Sequence, residues 1–407
     1  MTLFKYVARS IDGAAQSGIQ EAADKRVLAR FLRGKGMILV SAEHKEKSDT
    51  PVFIKRITAG ILGVPLVEKM TFIRYLAVLI SAGVDISRAL SVLEQQVKSP
   101  TFKDIIRAVH AEVMQGKTLH ETLAKHPKAF SELTVNMIAV GEESGRLVES
   151  LELVANQLER EHQLVSKVKG ALIYPAVVIS AMLLVSVVMF IYVVPNLKAV
   201  FGDINLALPI TTRVIFALSD FLVQRWYVAL VIVILAVVIL RVAWTVPQIK
   251  RAIDVILMRA PIFGSLVRKI VSARIARTLS SLISSGVPII RSIEITSNLV
   301  SNTAFKNSLK ESINHVQKGE PFSAALAIYP KVYPPMLVQM ISVGEETGKL
   351  GEMLGRTANF YEDEVDQSLK NLTTIIEPLL MLFIGGAVGV FAVSILGPMY
   401  TLIQNQV

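Results

Sequence analysis

The chain has 407 residues, of which 52% are hydrophobic and only 19% are charged, and its formal net charge is +10. A soluble globular domain usually carries about 25% charged residues, so this shortage of charge indicates apolar segments that lie in a membrane. The absence of cysteine excludes disulfides, thiolate metal sites and cysteine nucleophiles. Six histidines are present, and none lies in the HxH or HExxH spacing that is typical of zinc sites.

The first 42 residues predict a small α+β segment. Apolar alternation from Phe4, followed by Asp12-Gly13, predicts a hairpin, and we expect a helix at about 24–33 and a short strand at 37–40. The start lacks the apolar core of a signal peptide, so no cleavable leader is expected. Residues 43–64 are predicted to form a polar linker with a basic amphipathic stretch, which either lies on the membrane surface or packs on a helical domain.

Residues 65–168 predict a helical domain, because apolar residues recur there at the spacing of one helix face. Gly83 separates two of the predicted helices. Asp85 suits the first turn of the second helix, where its carboxylate can cap free backbone N–H groups. The region 245–371 shows the same pattern from about residue 268. We therefore expect two antiparallel helical bundles.

Three apolar stretches predict transmembrane helices, at 169–194, 226–244 and 372–396. The first contains 24 consecutive uncharged residues, and such a helix rises about 36 Å, enough to cross a hydrocarbon core of about 30 Å. The second is short, but the arginines that flank it can reach the membrane surface. The alternative for each stretch is a buried helix of a soluble protein.

The basic residues predict how these helices are oriented. Residues 1–170 carry 24 Lys and Arg and residues 241–371 carry 16, whereas residues 195–225 carry three. Since cytoplasmic segments near membrane helices are enriched in positive charge, we expect both helical domains in the cytoplasm. The segment 195–225 is then an external loop and 397–407 an external tail. No basic stripe interleaved with aromatic residues supports nucleic-acid binding.

A direct repeat at an offset of 203 residues is the strongest pattern in the sequence. Residues 116–147 and 319–350 are identical at 14 of 32 positions without a gap. The repeat unit is a helical domain followed by one membrane helix, at roughly 65–195 and 268–398. Because both copies have the same orientation, the chain must cross the membrane once between them, and 226–244 is the segment predicted to do so.

The repeated glycine and acidic turns are the candidate functional positions. The first copy contributes Gly83, Gly141, Glu142, Glu143 and Gly145, and the second contributes Gly286, Gly344, Glu345, Glu346 and Gly348. The paired acids, with Glu149 nearby, could supply oxygen ligands to a hard cation. Alternatively, the motif is a tight turn between helices whose acids are solvated or lie near a helix terminus.

No phosphate-binding loop, dinucleotide fingerprint or nucleophile elbow is present, and we expect neither an enzyme nor a bound cofactor or metal. Two other functional classes remain open. A transporter or channel built from a parallel repeat would use Glu377, which lies one turn inside the cytoplasmic edge of the third predicted span. A membrane-anchored enzyme would depend on Glu142 or Glu345.

The turn Gly-Glu-x-[Ser/Thr]-Gly-x-Leu, the Ser-x-Gly-Val segment, the duplication and the three spans resemble the type II secretion F-domain family. The N-terminal Phe4-x-Tyr and Arg30-Phe-Leu-Arg-Gly-Lys-Gly36 are similar to the family's start. The resemblance implies an inner-membrane platform protein of a type IV pilus or type II secretion machine. It also implies a hexameric assembly ATPase, pilin or pseudopilin subunits and other inner-membrane assembly proteins as partners, and a homo-oligomer.

Together these patterns predict a mainly α, polytopic membrane protein. It has three transmembrane helices, two duplicated cytoplasmic helical-bundle domains and a small α+β N-terminal segment.

Overall fold

The structure is a computed structural model that describes residues 2–10, 15–22, 24–44, 64–202, 209–261 and 263–405. The chain divides into two compact units, 1–63 and 64–407. The predicted hairpin turn at Asp12-Gly13 and the basic amphipathic stretch of the linker lie outside the described residues.

The first unit contains a three-stranded antiparallel sheet and one helix. Its strands are β1 (Thr2–Ser10), β2 (Ala15–Ala22) and β3 (Met37–His44), in the order β2-β1-β3, and α1 (Lys25–Gly34) precedes β3. Leu28 and Leu32, one helical turn apart on α1, are fully buried together with Ala8 of β1. The helix thus packs its apolar stripe on the sheet.

The second unit contains two helical domains. The first consists of α2 (Leu66–Ser81), α3 (Ile86–Gln96), α4 (Pro100–Val113), α5 (Leu119–Ala124), α6 (Glu132–Glu143) and the start of α7 (Leu147–Val188). The second consists of α12 (Phe263–Ser284), α13 (Ile289–Leu299), α14 (Thr303–Gln317), α15 (Phe322–Ala327), α16 (Pro335–Thr347) and the start of α17 (Leu350–Asn405). Helices α3 and α13, and α5 and α15, have identical lengths at the 203-residue offset. The duplicated helical architecture is therefore confirmed.

The two domains start their helices by different chemistry at equivalent positions. In the first domain the helices α3 to α6 begin at polar side chains that accept a backbone N–H bond, namely Asp85, Ser99, Thr118 and Ser131. In the second domain only Asn302 does so, and the other three positions are Pro288, Pro321 and Pro334. Both solutions suit a helix start, by side-chain capping or by a preset φ.

Aromatic rings form the centre of each domain core. In the first domain, Phe72, Phe102 and Phe130 are all buried, with ring centroids 5.5 to 5.9 Å apart. In the second domain the equivalents of the last two, Phe305 and Tyr333, meet edge to face at 5.2 Å. Phe102 and Phe305 both come from the third helix of their bundle, α4 and α14, so the two copies fill their cores in the same way.

Both domains continue directly into apolar helices. The segments Leu147–Ala199 and Leu350–Ser394 are long and apolar enough to cross a membrane. Within the first, a π-helical turn at Met189–Val193 leads into α8 (Val194–Gly202). The helices α9 (Ile210–Gln224) and α10 (Trp226–Thr245) meet at a bend of 91°, and this pair is a third candidate span. Helix α11 (Pro247–Arg259) then leads to the second domain.

The structure corrects one expectation about the segment 195–225, which the sequence predicted as a loop. In the part that the structure describes, residues 195–202 extend the preceding helix and Ile210–Gln224 forms α9. Hydroxyl groups of α9 reach the backbone of both long apolar segments: Thr212 donates to the carbonyl of Ser394 at 2.7 Å, and Ser219 to that of Phe190 at 2.6 Å. These tertiary bonds dock α9 against both apolar segments, which local sequence could not indicate.

Candidate functional site

The first acid of the repeated turn caps a neighbouring helix in the first domain. The two carboxylate oxygens of Glu142 accept the backbone N–H groups of Leu119 at 2.7 Å and His120 at 3.0 Å, at the start of α5. The ring Nδ1 of His120 lies 2.8 Å from the same carboxylate. A negative group at a helix N-terminus satisfies free donors and interacts favourably with the helix dipole. Glu142 therefore ties the end of α6 to the start of α5.

The second domain repeats this arrangement at the 203-residue offset. Glu345 accepts the backbone N–H groups of Phe322 at 2.6 Å and Ser323 at 3.0 Å, at the start of α15. The hydroxyl of Ser323 takes the place of the His120 ring and donates to the same carboxylate at 2.5 Å. The cap is thus preserved although its side-chain partner differs between the two copies.

The second acid of each turn points elsewhere. Glu143 and Glu346 are both exposed, and Glu346 accepts a bond from Ser342 on its own helix. Glu149, which the sequence analysis considered beside this pair, is also exposed. Within the described residues, no group of three or more His, Asp or Glu side chains has the geometry to hold a metal ion. The arrangement of Glu142 and Glu345 is that of helix caps.

The glycines of the turn have two separate roles. Gly145 and Gly348 have φ values of +72° and +68°, a left-handed conformation that glycine adopts without strain. Gly141 is needed for close packing, because a Cβ atom there would lie 2.2 Å from Cβ of Ser150 on the next helix. At Gly344 the corresponding contact is Cα of Leu350, at 2.8 Å. The turn is thus a tight corner between α6 and α7, and between α16 and α17.

Gly83 and Gly286 likewise have φ of +82° and +89°, at the turn between the first two helices of each domain.

An ion pair that was not predicted from the sequence links the first and last helices of each domain. Arg277 of α12 binds both oxygens of Glu362 of α17, each at 2.9 Å. Arg74 of α2 pairs with Glu159 of α7 in the first domain. The common offset of 203 residues for both partners is the sequence signal that could have identified this pair.

The second domain packs against the first through α12 and α13. Its residues Leu282, Val287 and Ile295 are buried in the core cluster of the first domain. At the edges of this contact, Arg291 pairs with Glu132 at 2.6 Å, and Ser281 donates to the side-chain oxygen of Gln157 at 2.8 Å. This interface could not be predicted from the sequence, since the repeat shows that two domains exist and says nothing of which faces meet.

A cavity of about 220 Å³ lies between the two domains. Its charged lining comes from both copies and consists of Lys69, Arg160, Glu161, Arg274, Arg277 and Glu362. Partial burial lowers the pKa of Lys69 below its usual value, and the carboxylate of Glu161 partly opposes this shift. Arg274 reaches Glu161 at 3.5 Å across the interface. The cavity is thus an interdomain seam with mixed charge.

An apolar groove of about 560 Å³ runs between the two long helices beyond the domains. It is lined by Val178, Ala181, Val185, Ile384, Ala387 and Val388, among others. Glu377, considered in the sequence analysis as a transport residue, is exposed on α17. A groove of this composition can take lipid chains or an apolar helix.

Comparison with known proteins agrees with the duplication. The family described as "Type II secretion system (T2SS), protein F" matches twice, at residues 72–195 and 275–398, and its N-terminal domain family matches residues 1–43. The two matches differ by 203 residues, the offset that also relates the helices of the two domains.

The relatives include proteins of two kinds of machine. The chain is 36% identical to the type IV pilus assembly protein PilC of Thermus thermophilus, over 99% of this chain and 98% of the relative. It is 34% identical to PilC of Myxococcus xanthus, over 98% and 94%. It is 30% identical to the type II secretion system protein F of Pseudomonas aeruginosa, over 99% of both chains. The chain therefore belongs to the type II secretion system protein F family.

Proposed function

We propose that this chain is an inner-membrane platform protein of a type IV pilus or type II secretion machine. It couples a cytoplasmic assembly ATPase to the insertion or extraction of pilin or pseudopilin subunits. Family membership and the names of the relatives support this role. Identities of 36% and 34% to pilus proteins, against 30% to a secretion protein, favour the pilus machine.

The observation that carries the proposal is the continuity of each domain with a long apolar helix. Helix α17 has 56 residues and is about 84 Å long at 1.5 Å per residue. Leu354, Ala358 and Tyr361, near its start, are buried in the core of the second domain. Because one unbroken helix joins that core to the apolar segment, a rotation or tilt of the domain is transmitted to the membrane end.

The proposed orientation places both domains in the cytoplasm and the C-terminus outside. The 24 and 16 basic residues of the two domain regions, against three in 195–225, support it. With α7 and α17 crossing in the same direction, α10 supplies the return crossing. In this arrangement α9, docked on Phe190 and Ser394, lies at the outer face.

The groove between α7 and α17 is the surface proposed to contact pilin or pseudopilin. Its lining of valine, isoleucine and alanine suits the apolar helix of a membrane-anchored subunit. Small residues such as Ala181 and Ala387 let a second helix approach closely. Lateral access from the bilayer would let a subunit enter and leave during assembly.

The first test is gentle solubilisation of membranes, affinity purification of the full chain and identification of the proteins that accompany it. We expect an assembly ATPase together with pilin-like subunits, and the subunit type distinguishes the pilus from the secretion machine. A parallel purification of the Ala387→Trp variant should retain the ATPase and lose pilin, since the ring fills the groove. Ala236→Trp, on α10 outside the groove, is the matched control.

Two results would overturn the proposal. One is recovery of the chain without an ATPase under conditions that preserve other weak membrane complexes. The other is ion or solute flux in vesicles that is abolished by Glu377→Gln, which would indicate a transporter.

A further inference from the structure

The interface between the two domains is formed by different faces of the repeat. The second domain contributes its head face, defined here by Thr278, Ser281, Leu282, Arg291 and Ile295 on α12 and α13. The first domain contributes its tail face, defined by Glu132, Val140, Gln157 and Arg160 on α6 and α7. Ile295 is fully buried, and Thr278 is 2% exposed. The contact is head to tail, and it leaves one head face and one tail face unused.

The unused head face of the first domain is apolar and exposed. At the positions equivalent to Thr278, Ser281 and Ile295 stand Tyr75, Val78 and Val92, which are 48%, 57% and 38% exposed. At two of these three positions, Tyr75 and Val78, the exposed side chain presents more apolar surface than the interface residue that it matches. A soluble surface normally shows the opposite trend, because exposed positions of a repeat tend to become polar.

The unused tail face of the second domain shows the same property. Val343 and Phe360 stand at the positions equivalent to Val140 and Gln157, and they are 42% and 40% exposed. Asp363 replaces Arg160 beside them and is exposed. The chain thus presents one apolar head face and one apolar tail face at its two free ends.

Residues of the free head face and the free tail face also match each other in polarity, as the equivalents of an internal contact show. Inside the chain, Ser281 donates to Gln157 at 2.8 Å, so this contact is polar on both sides. The equivalent pair at the free faces is Val78 and Phe360, which is apolar on both sides.

A second pair keeps the same residue types, a glycine facing a valine, at the internal interface and at the free faces. A Cβ atom on Gly286 would lie 3.6 Å from the side chain of Val140, and the equivalent pair is Gly83 and Val343, with open space at Gly83.

We propose that the tail face of the second domain of one chain binds the head face of the first domain of a second copy. The contact reproduces the geometry of the internal interface and is more apolar. The ion pair between Arg291 and Glu132 has no counterpart there, since Arg88 would meet Pro335. A heterologous contact of this kind builds a closed ring of domains when the repeated rotation closes. The parallel α7 and α17 keep every domain on one side of the membrane.

The test uses thiol crosslinking of the full chain in membranes. Because the chain has no cysteine, only the introduced residues can react. One copy carries Val78→Cys with one affinity tag, and a co-expressed copy carries Phe360→Cys with another tag. We expect a short bismaleimide to produce a linked species that contains both tags. The positive control is a single chain that carries both Ser281→Cys and Gln157→Cys, the equivalent pair at the internal interface. The bismaleimide should link these two thiols within one chain, so that neither remains free.

The matched control is a pair of exposed apolar side chains outside both faces, Met114→Cys and Ile328→Cys. It should give no species with both tags. Linkage of Val78→Cys to itself between copies would indicate a symmetric interface and overturn the proposal. Failure of the Val78 and Phe360 pair, with the internal pair reacting, would overturn it too. The test requires neither ATPase nor pilin, so its failure would leave the proposed function standing.

Discussion

Arg277 donates hydrogen bonds to both carboxylate oxygens of Glu362, 85 residues later in the chain. The pair joins α12, the first helix of the second domain, to α17, the helix that continues into the apolar segment. The same relationship joins Arg74 to Glu159 in the first domain. The two pairs differ in burial: Arg277 and Glu362 are 18% and 15% exposed, whereas Arg74 and Glu159 are 44% and 39% exposed.

This difference predicts unequal costs for the two arginines. Arg277→Ala should lower the free energy of unfolding by about 2 kcal/mol, because it leaves a mostly buried carboxylate poorly paired. Arg74→Ala should cost less than about 1 kcal/mol, as exposed ion pairs do. Denaturant unfolding in detergent, followed for each domain by limited proteolysis, measures both. Equal losses of unfolding free energy for the two variants would contradict the stronger stabilisation expected from the more buried pair.

The acidic turn predicts that only its first acid contributes to stability. Glu142→Ala removes two backbone caps at the start of α5 and should cost about 1 to 2 kcal/mol. The neighbouring Glu143→Ala should change stability by no more than about 0.5 kcal/mol, since Glu143 is exposed. The pair Glu345→Ala and Glu346→Ala repeats the comparison in the second domain. A calcium-dependent stability that is lost on changing Glu143 would instead support the cation-site interpretation.

Replacing glycine by alanine should have opposite effects on stability at Gly141 and at Gly170. Gly141→Ala should destabilise the first domain by about 1 to 3 kcal/mol, because its methyl group would overlap Ser150. Gly170→Ala lies in open space within α7 and should stabilise by about 0.5 to 1 kcal/mol. Thermal unfolding of the two variants in the same detergent compares them directly. A neutral Gly141→Ala would show that the corner is looser than described.

The continuity of α17 predicts that its stiffness matters for function. Lys370 and Asn371 are exposed and lie between the second domain and the apolar segment. Changing both to glycine costs about 1 kcal/mol each in helix stability relative to alanine. We expect the double glycine variant to reduce surface pili or secreted protein at normal membrane levels of the chain. The double alanine variant loses the same side chains and should retain function; equal loss would argue against coupling through α17.

Much of the local structure was predictable because it depends on neighbours in the chain. The break between helices at Gly83 and the cap at Asp85 both follow from short-range chemistry. The role of Glu142 was not predictable, since the same sequence motif is compatible with a cation ligand and with a turn residue near a helix terminus. Only the position of α5, 22 residues earlier, decides between them.

Two equivalent helical domains, each followed by an apolar helix, are predictable from the sequence, because periodicity and repetition are properties of the linear pattern. Long-range packing sets which faces of the two domains meet, where α9 docks, and which equivalent residues stay exposed. Ser281 and Val78 occupy the same place in the repeat, and one is at an interface and the other at the surface. That difference arises from contacts between segments more than 100 residues apart, which no local pattern encodes.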